Sequence, residues 1–540
     1  MWRYAAAPDS PRCSNPELSR IVNRELTRKS LEVSVMKRSL IAIARVAVGA
    51  AAVLVIAAIG SAAANSTQQS SATAPAKEIA RFQEELAKAG YVVQEGQVGI
   101  YDFDLAYCSN VIWTADWPNP RSPYISAAMP PVPGQPVANS GPNEYRLRED
   151  EAVVAIGMTP PPVAYFSFNM HMFRGSLINS VGPPLLWIPV GDPINNGMVR
   201  TAGPTPYNQP FAAVFTGHRR TQTDVHAMLR KAGLQQAIND QALPPALFRL
   251  GLDPGPDPLN RRTDAVAFAM RTAVAENQQA LDEYLAGFNN PVAQRPIRMF
   301  RVRPLASGHD QIAPVFAPDP LPVPPLRVAG TGTTELDLFP TLLLLKERII
   351  AAHPGYTATD LPVDPLFEQP YPGLQRTKGW LILPPGQLGV AGATSDATYL
   401  GSGDFTLPSG AFLVAYGAHH RATGKASYSS VSVYADPVAT VGLATVQSPK
   451  LQDSARDYIN DQPKADMFYA WTFTRGTTGG SHVSQLLASD YCQTNYPGTS
   501  RAVDLNTLRI IVRSYMDPAT KTRPAEPEML FDRLLMFTPN

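Results

Sequence analysis

The sequence predicts an α+β protein in two halves, each built on mainly antiparallel sheet with a few helices and joined by a proline-rich connector. Three observations carry that expectation. Short runs of β-branched, aromatic and aliphatic residues recur through both halves. Only a few segments space their apolar residues as a helix would. Proline supplies 53 of the 540 residues, about twice the usual share, which favours short strands and irregular connections over a helical bundle.

The first element is a leader. Met36, Lys37 and Arg38 open a basic segment, a long apolar run follows, and Ala62, Ala63 and Ala64 offer a small-residue cleavage site before Asn65. That is the layout of a secretory signal peptide. The alternative is a start at Met1 with Val46 to Ala64 kept as a membrane anchor, roughly 19 apolar residues and barely enough to span a bilayer. Arg20, Arg24, Arg28, Lys29, Lys37 and Arg38 all precede the run, so either arrangement sends the body outside. The expected location is therefore secreted or extracytoplasmic, with membrane contact only through residues 46–64 if the leader is uncleaved. A formal charge of +1 gives no reason to expect nucleic acid as a partner.

Organisation follows as 1–64 cytoplasmic extension plus leader, 65–77 flexible spacer, 78–304 first domain, 305–333 connector and 334–540 second, strand-rich domain. "AKEIARFQEELAKAG" reads as a helix on Ile79, Phe82 and Leu86, stopped by Gly90. "QVGIYDFDLAYC" alternates like a strand, with Asp102 and Asp104 on one face. "FAAVFTG", "TQTDVHAMLRKAG", "DAVAFAMRTAVA", "NQQALDEYLAGF" and "RPIRMFRVRP" alternate strand and helix. Six prolines between Pro314 and Pro325 make an extended connector. "TTELDLFPTLLLLKERIIAAHPG" reads as a helix capped by Thr334, with Pro340 implying a kink or a later start. The second half continues in strands, interrupted by a helix at "SPKLQDSARDYI". No internal repeat stands out.

Cys13 precedes the leader, so the exported body keeps Cys108 and Cys492, which in an oxidising compartment are expected to form one disulfide. There is no G-x-S-x-G elbow, H-E-x-x-H, C-x-x-C or P-loop. The nearest nucleotide-like text, "GTGTTE", puts Glu335 where an acid would oppose a pyrophosphate, so no cofactor is expected.

Two stretches carry candidate chemistry. In "AYFSFNMHMF", Tyr165, Ser167, Asn169 and His171 share one strand face, with His171 as base or acid and Asn169 or the nearby Asp192 orienting it. The same residues also fit an ordinary wet sheet face. In "AYGAHHRATGK", His419 and His420 point to opposite faces at a strand exit, with Lys425 beyond a polar turn. Neighbours on one strand cannot grip one metal together, and no H-x-H occurs, so no metal is expected. His482 sits in a loop and carries no partner signal, and His218, His226, His309 and His353 read as surface or loop residues.

Two functions remain open. One is a cofactor-independent hydrolase or lyase with a site between the halves, His171, Asn169 and Asp192 meeting His419, His420 and Lys425. The other is a non-catalytic envelope protein that binds a glycan, lipid or protein through an aromatic-rich sheet surface, for which 20 tyrosines and 20 phenylalanines supply material. In either case the expected ligand is a small molecule or envelope polymer.

Overall fold

Ile79, Phe82 and Leu86 lie buried along one face of helix α1 (Ala76–Lys88), and Gly90 follows with φ of 82°. Only glycine takes that left-handed turn without penalty. The computed structural model describes residues 73–540 except 113–114, 116–117, 131–142, 175–184, 245–264, 306–313, 367–374, 378–379, 383–393, 436–439, 477–479 and 488. All belong to the compact unit Gln69–Asn540. The leader, its anchor alternative and Cys13 lie outside the described residues. No described helix is long and apolar enough to cross a membrane.

The first half supplies β1 (Tyr91–Glu95), β2 (Gln97–Tyr101), α2 (Phe103–Cys108), β3 (Tyr124–Ala128), β4 (Ala152–Met158) and β5 (Val163–Arg174). It continues with β6 (Leu185–Pro189), β7 (Ile194–Asn195), β8 (Pro210–Thr216), α3 (Arg219–Lys231), β9 (Ile238–Ala242), β10 (Ala265–Ala275), α4 (Gln278–Ala286) and β11 (Ile297–Pro304). The second half opens with α5 (Phe339–Ala351), β12 (Tyr356–Leu361), β13 (Val363–Pro365), β14 (Gln375–Thr377), β15 (Trp380–Ile382), β16 (Ala397–Ser402) and β17 (Phe405–Thr406). Then come β18 (Phe412–Ala418), β19 (Tyr428–Ala435), β20 (Val441–Gln447), α6 (Ser448–Leu451), α7 (Gln462–Ala465) and β21 (Phe468–Thr474). The chain ends through β22 (Val483–Gln485), α8 (Tyr491–Asn495), β23 (Thr507–Tyr515) and β24 (Arg533–Pro539).

Apart from the two-stranded β14–β15 sheet, each half folds its strands into two sheets. Sheet I runs β1-β11-β4-β8-β9 and sheet II β2-β3-β10-β5-β6; sheet III runs β12-β24-β18-β21-β22 and sheet IV β13-β16-β23-β19-β20. The strands pair antiparallel throughout, except β8 with β9 and β21 with β22.

These orders reveal an internal repeat. Setting β1–β6 and β8–β11 against β12, β13, β16 and β18–β24 in chain order, both outer sheets read 1-10-4-7-8 and both inner sheets 2-3-9-5-6. The ladders confirm the register: Tyr91 pairs with Pro304 as Tyr356 does with Pro539. Arg271 stands between Tyr124 and Ser167 as Arg513 stands between Tyr399 and Ser430. The absence of a repeat expected from the sequence is thus overturned.

The layers follow from which faces are apolar. One core fills the space between sheets I and II, with Phe166, Phe168 and Met170 meeting Phe211 and Phe215. A second fills the space between III and IV. Helices α1 and α3 cover the outer face of sheet I, and α5 packs on that of sheet III. Each fully buried Leu, Ile or Phe in these layers is worth about 1.5–3 kcal/mol. Sheets II and IV face each other at the centre, across a layer of tyrosines.

Three local expectations need correction. The strand drawn through Asp102 and Asp104 ends at Tyr101, because the Asp102 carboxylate accepts from the Leu105 N–H and caps α2. Asp104 is buried inside that helix and accepts from the Tyr491 hydroxyl at 2.7 Å. The helix after the connector begins at Phe339 with Pro340 in its first turn, where proline loses no bond, so the later start holds and Thr334 caps only the preceding turn. Of "SPKLQDSARDYI", only α6 is helical.

Cys108 and Cys492 are bonded, with Cα atoms 5.4 Å apart across 384 residues of sequence. The bridge ties α2 to α8 and seats Phe103 and Tyr107 in the second half's core. Such a bond points to an extracytoplasmic compartment. The connector lies against the first half: Asp150 accepts from Val315 and Phe316 N–H groups, and Leu321 donates to Gly217.

Candidate functional site

The polar face of β5 is buried, and it meets protein. Tyr165, Ser167, Asn169 and His171 are all enclosed. The Tyr165 hydroxyl reaches Ser167 Oγ at 2.9 Å and the Asp396 carboxylate at 3.0 Å, and Asn195 donates to the same carboxylate at 2.9 Å. Arg271 lies 3.8 Å from Asp396 and donates to Tyr399 and Tyr515 across the central layer. Asn119, also of the first half, donates to Tyr428 at 2.8 Å. Burial, then the Arg271 charge, lowers the His171 pKa to about 3, leaving a neutral and weakly basic imidazole. Asn169 accepts from Gln241. Asp192 binds Ser395 Oγ and the Arg327 N–H, each at 2.7 Å, and so latches second half and connector to the first. This face joins the two halves.

The His419–His420 pair is likewise enclosed by protein. His419 and His420 follow β18 directly and both are buried. His420 lies between two carboxylates, Nδ1 3.0 Å from Glu335 and Nε2 3.2 Å from Asp532. Burial alone would lower its pKa, but Glu335 and then Asp532 outweigh that and raise it to about 10. Asp532 also accepts from Tyr469, and Glu335 from the Leu530 N–H and Thr423. Lys425 pairs with Glu528 at 2.8 Å, whose carboxylate also caps the N–H groups of Thr331 and Gly332. The glycine-rich turn that resembled a phosphate cradle thus holds the protein's own carboxylate. His419 is pushed down to about 4, by burial first and then by the neighbouring His420.

The open chemistry lies elsewhere, where the two repeats differ. In the first half, 21 residues (217–237) link β8 to β9 and include α3, whose Val225 and Leu229 cover Ala212 and Val214. In the second half, eight residues (475–482) link β21 to β22. With no counterpart of α3 there, the matching positions Ala470 and Thr472, together with Thr474, line a cleft of about 950 Å³. The floor has become more polar, since Thr472 stands where the first half has Val214. Tyr356 shows the same change. Its counterpart Tyr91 bonds Asp224 on α3 at 2.7 Å, whereas Tyr356 lines the cleft.

Aromatic rings form one wall. His353 packs 4.9 Å from Phe412, and Tyr356 5.0 Å from Phe412, which stacks on Phe537 at 4.8 Å. Burial lowers the His353 pKa. The far side carries Asp457, Arg475, Ser481, His482 and Asn506. His482 Nδ1 lies 3.1 Å from Asp457, and its ring is tilted against Trp471 at 5.6 Å. Its carbonyl accepts from the Thr472 N–H, tying the loop to β21. A smaller cleft of about 360 Å³ beside β9 includes Asp192, Arg200, Asp240 and Arg327. No group of three or more metal-ligating side chains occurs among the described residues.

No family model and no curated protein matches this sequence. Among solved structures, an uncharacterized protein from Burkholderia cenocepacia aligns at 11% identity and a TM-score of 0.36, covering 85% of this chain and 87% of its own. The VPA0106 protein from Vibrio parahaemolyticus aligns at 10% identity and a TM-score of 0.31, covering 85% of this chain and 96% of its own. Likenesses of this degree bear on no residue of the cleft.

From the sequence alone His482 carries no partner signal and His353 reads as a surface or loop residue, yet both line the cleft. The one signal available was comparative: Gly355-Tyr356 repeats Gly90-Tyr91, and the segment after "FTR" is too short to hold a second α3.

Proposed function

We propose that this is an extracytoplasmic binding protein, exported by the leader, that holds a carbohydrate in the cleft on sheet III. The observation that carries this reading is the cleft at the open part of the sheet III face, with an aromatic wall and a hydroxyl-bearing floor in one concave site, while Ala455, Ile459 and Ala465 pack over the same face beside Ala470. Sugar rings present apolar C–H faces to aromatic rings and hydroxyls to polar side chains, so a cleft with both suits them. Its volume lies at the upper end of the roughly 300–1,000 Å³ usual for small-ligand sites. A site between the halves built on His171, Asn169, Asp192, His419, His420 and Lys425 is the weaker alternative, because all but Asp192 are buried, and Asn169, Asp192, His420 and Lys425 are engaged with the protein's own groups.

Titration calorimetry with neutral trisaccharides of glucose and of N-acetylglucosamine tests the proposal. Saturable binding is expected, weakened about tenfold by Tyr356→Ala, the equivalent of about 1.4 kcal/mol for a lost stacking contact. Thr472→Val, which restores the first half's residue, is expected to weaken it several-fold with folding unchanged. Absence of binding to either sugar class, or parental affinity in Tyr356→Ala, would remove the carbohydrate assignment.

A further inference from the structure

We infer that the cleft is also hydrolytic: His482, oriented by Asp457, acts as general base in cleaving an acyl ester carried by the bound sugar. The inference rests on the carbohydrate reading of the cleft and extends it from binding to chemistry.

The geometry points to a base. A catalytic imidazole needs one nitrogen fixed by a third group and the other open to the reactant. His482 Nδ1 has Asp457 at 3.1 Å and Ser481 Oγ at 3.4 Å, while Nε2 has no hydrogen-bond partner among the described residues. Trp471 limits the ring's rotation from one side, and the backbone bond to Thr472 holds its Cα in place. His482 and Asp457 both line the 950 Å³ cleft, as does Arg475, whose guanidinium also donates to the Leu505 carbonyl.

The chemistry of the lining selects the bond. Glycosidic cleavage ordinarily needs two carboxyl groups flanking the scissile oxygen, and Asp457 is the only carboxylate among the lining residues. An ester needs one base and a site for developing negative charge. Nε2 removes a proton from water as its oxygen attacks the ester carbonyl carbon. The oxyanion of the tetrahedral intermediate is stabilised by the Arg475 guanidinium. The intermediate collapses by breaking the bond from carbonyl carbon to sugar oxygen, and the imidazolium returns its proton to that oxygen. The products are a carboxylic acid and the free sugar hydroxyl, with His482 neutral again. No external cofactor enters the balance.

The test measures binding and hydrolysis separately on the full exported chain. Calorimetry uses an unacetylated trisaccharide, and acetate release is followed from its O-acetylated form. The expected result is acetate release by the parent and a drop in kcat of about 100-fold in His482→Gln, with the thermal midpoint unchanged. Exogenous imidazole should restore release in His482→Ala, and Asp457→Asn should lower kcat with KM retained, as fits a positioning residue. Binding without acetate release by the parent overturns the hydrolytic inference and leaves the binding proposal standing. Undiminished release in His482→Gln overturns it too. Failure of both measurements removes the two together.

Discussion

Replacing Cys108 and Cys492 by serine is expected to lower the unfolding free energy by about 3–5 kcal/mol. The argument is the length of the loop. The bond closes 384 residues, and the chain-entropy model assigns about 5 kcal/mol or somewhat more to a loop of that order before any native strain is subtracted. The bridge also holds α2, an element of the first half, in the core of the second, where Phe103 and Tyr107 pack with Tyr491 and Leu505. Removing it therefore lets the unfolded ensemble expand and loosens an inter-half contact. Urea unfolding of the double variant beside the parent checks this. A loss below about 1 kcal/mol would mean that the unfolded chain is already restrained without the bond.

The sequence made the individual elements legible and left their companions hidden. Helix α1 could be read because Ile79, Phe82 and Leu86 repeat at helical spacing and Gly90 supplies the stop. Cys108 and Cys492 could be paired because the body holds no other cysteine. The polar face of β5 was visible as alternation, but alternation says only that a face differs from its reverse. Here the polar face is buried against an equally polar one, Tyr428, Ser430 and Tyr434 of β19. Those two faces are the repeat in miniature: Tyr165-x-Ser167 and Tyr428-x-Ser430, with Arg271 and Arg513 on the neighbouring strands.

Such identities are sparse because core positions accept any apolar side chain of suitable volume. Only specially constrained positions persist. Gly157 and Gly417 are examples, since a Cβ at either would come within 3 Å of the adjacent strand at Pro296 or Asp532. The cleft was the least legible feature of all. It exists because an element is missing from one repeat, and a missing helix shows only once the other repeat has been recognised.

Stability should peak near neutrality and fall on both sides, with a different histidine responsible for each limb. His420 sits between Glu335 and Asp532 with its pKa raised from 6.5 to about 10. Below pH 6.5 both folded and unfolded chains hold that proton, and its contribution is fully present. Between 6.5 and about 10 only the folded chain keeps it, so stability declines with rising pH by up to about 1.4 kcal/mol per unit. His171 and His419 work in the opposite sense. Their pKa values are lowered to about 3 and about 4, so on acidification below 6.5 the unfolded chain gains protons that the folded protein refuses. Burial would raise the Glu335 pKa, but His420 and the hydrogen bonds around it outweigh that and hold it below its ordinary 4.5, so it adds to the same acid limb, its contribution being present above 4.5 and lost as pH falls. His420→Gln is expected to cost about 3–5 kcal/mol at pH 6.5, because two buried carboxylates are left facing each other without a cation, and to flatten the alkaline limb. His419→Gln should leave the alkaline limb and soften the acid one. Urea midpoints from pH 4 to 10 decide the matter: a parent curve level between pH 7 and 9 would mean that His420 gives up its proton near 6.5, and that the Glu335–His420–Asp532 cluster is not the buried ion triad its geometry describes.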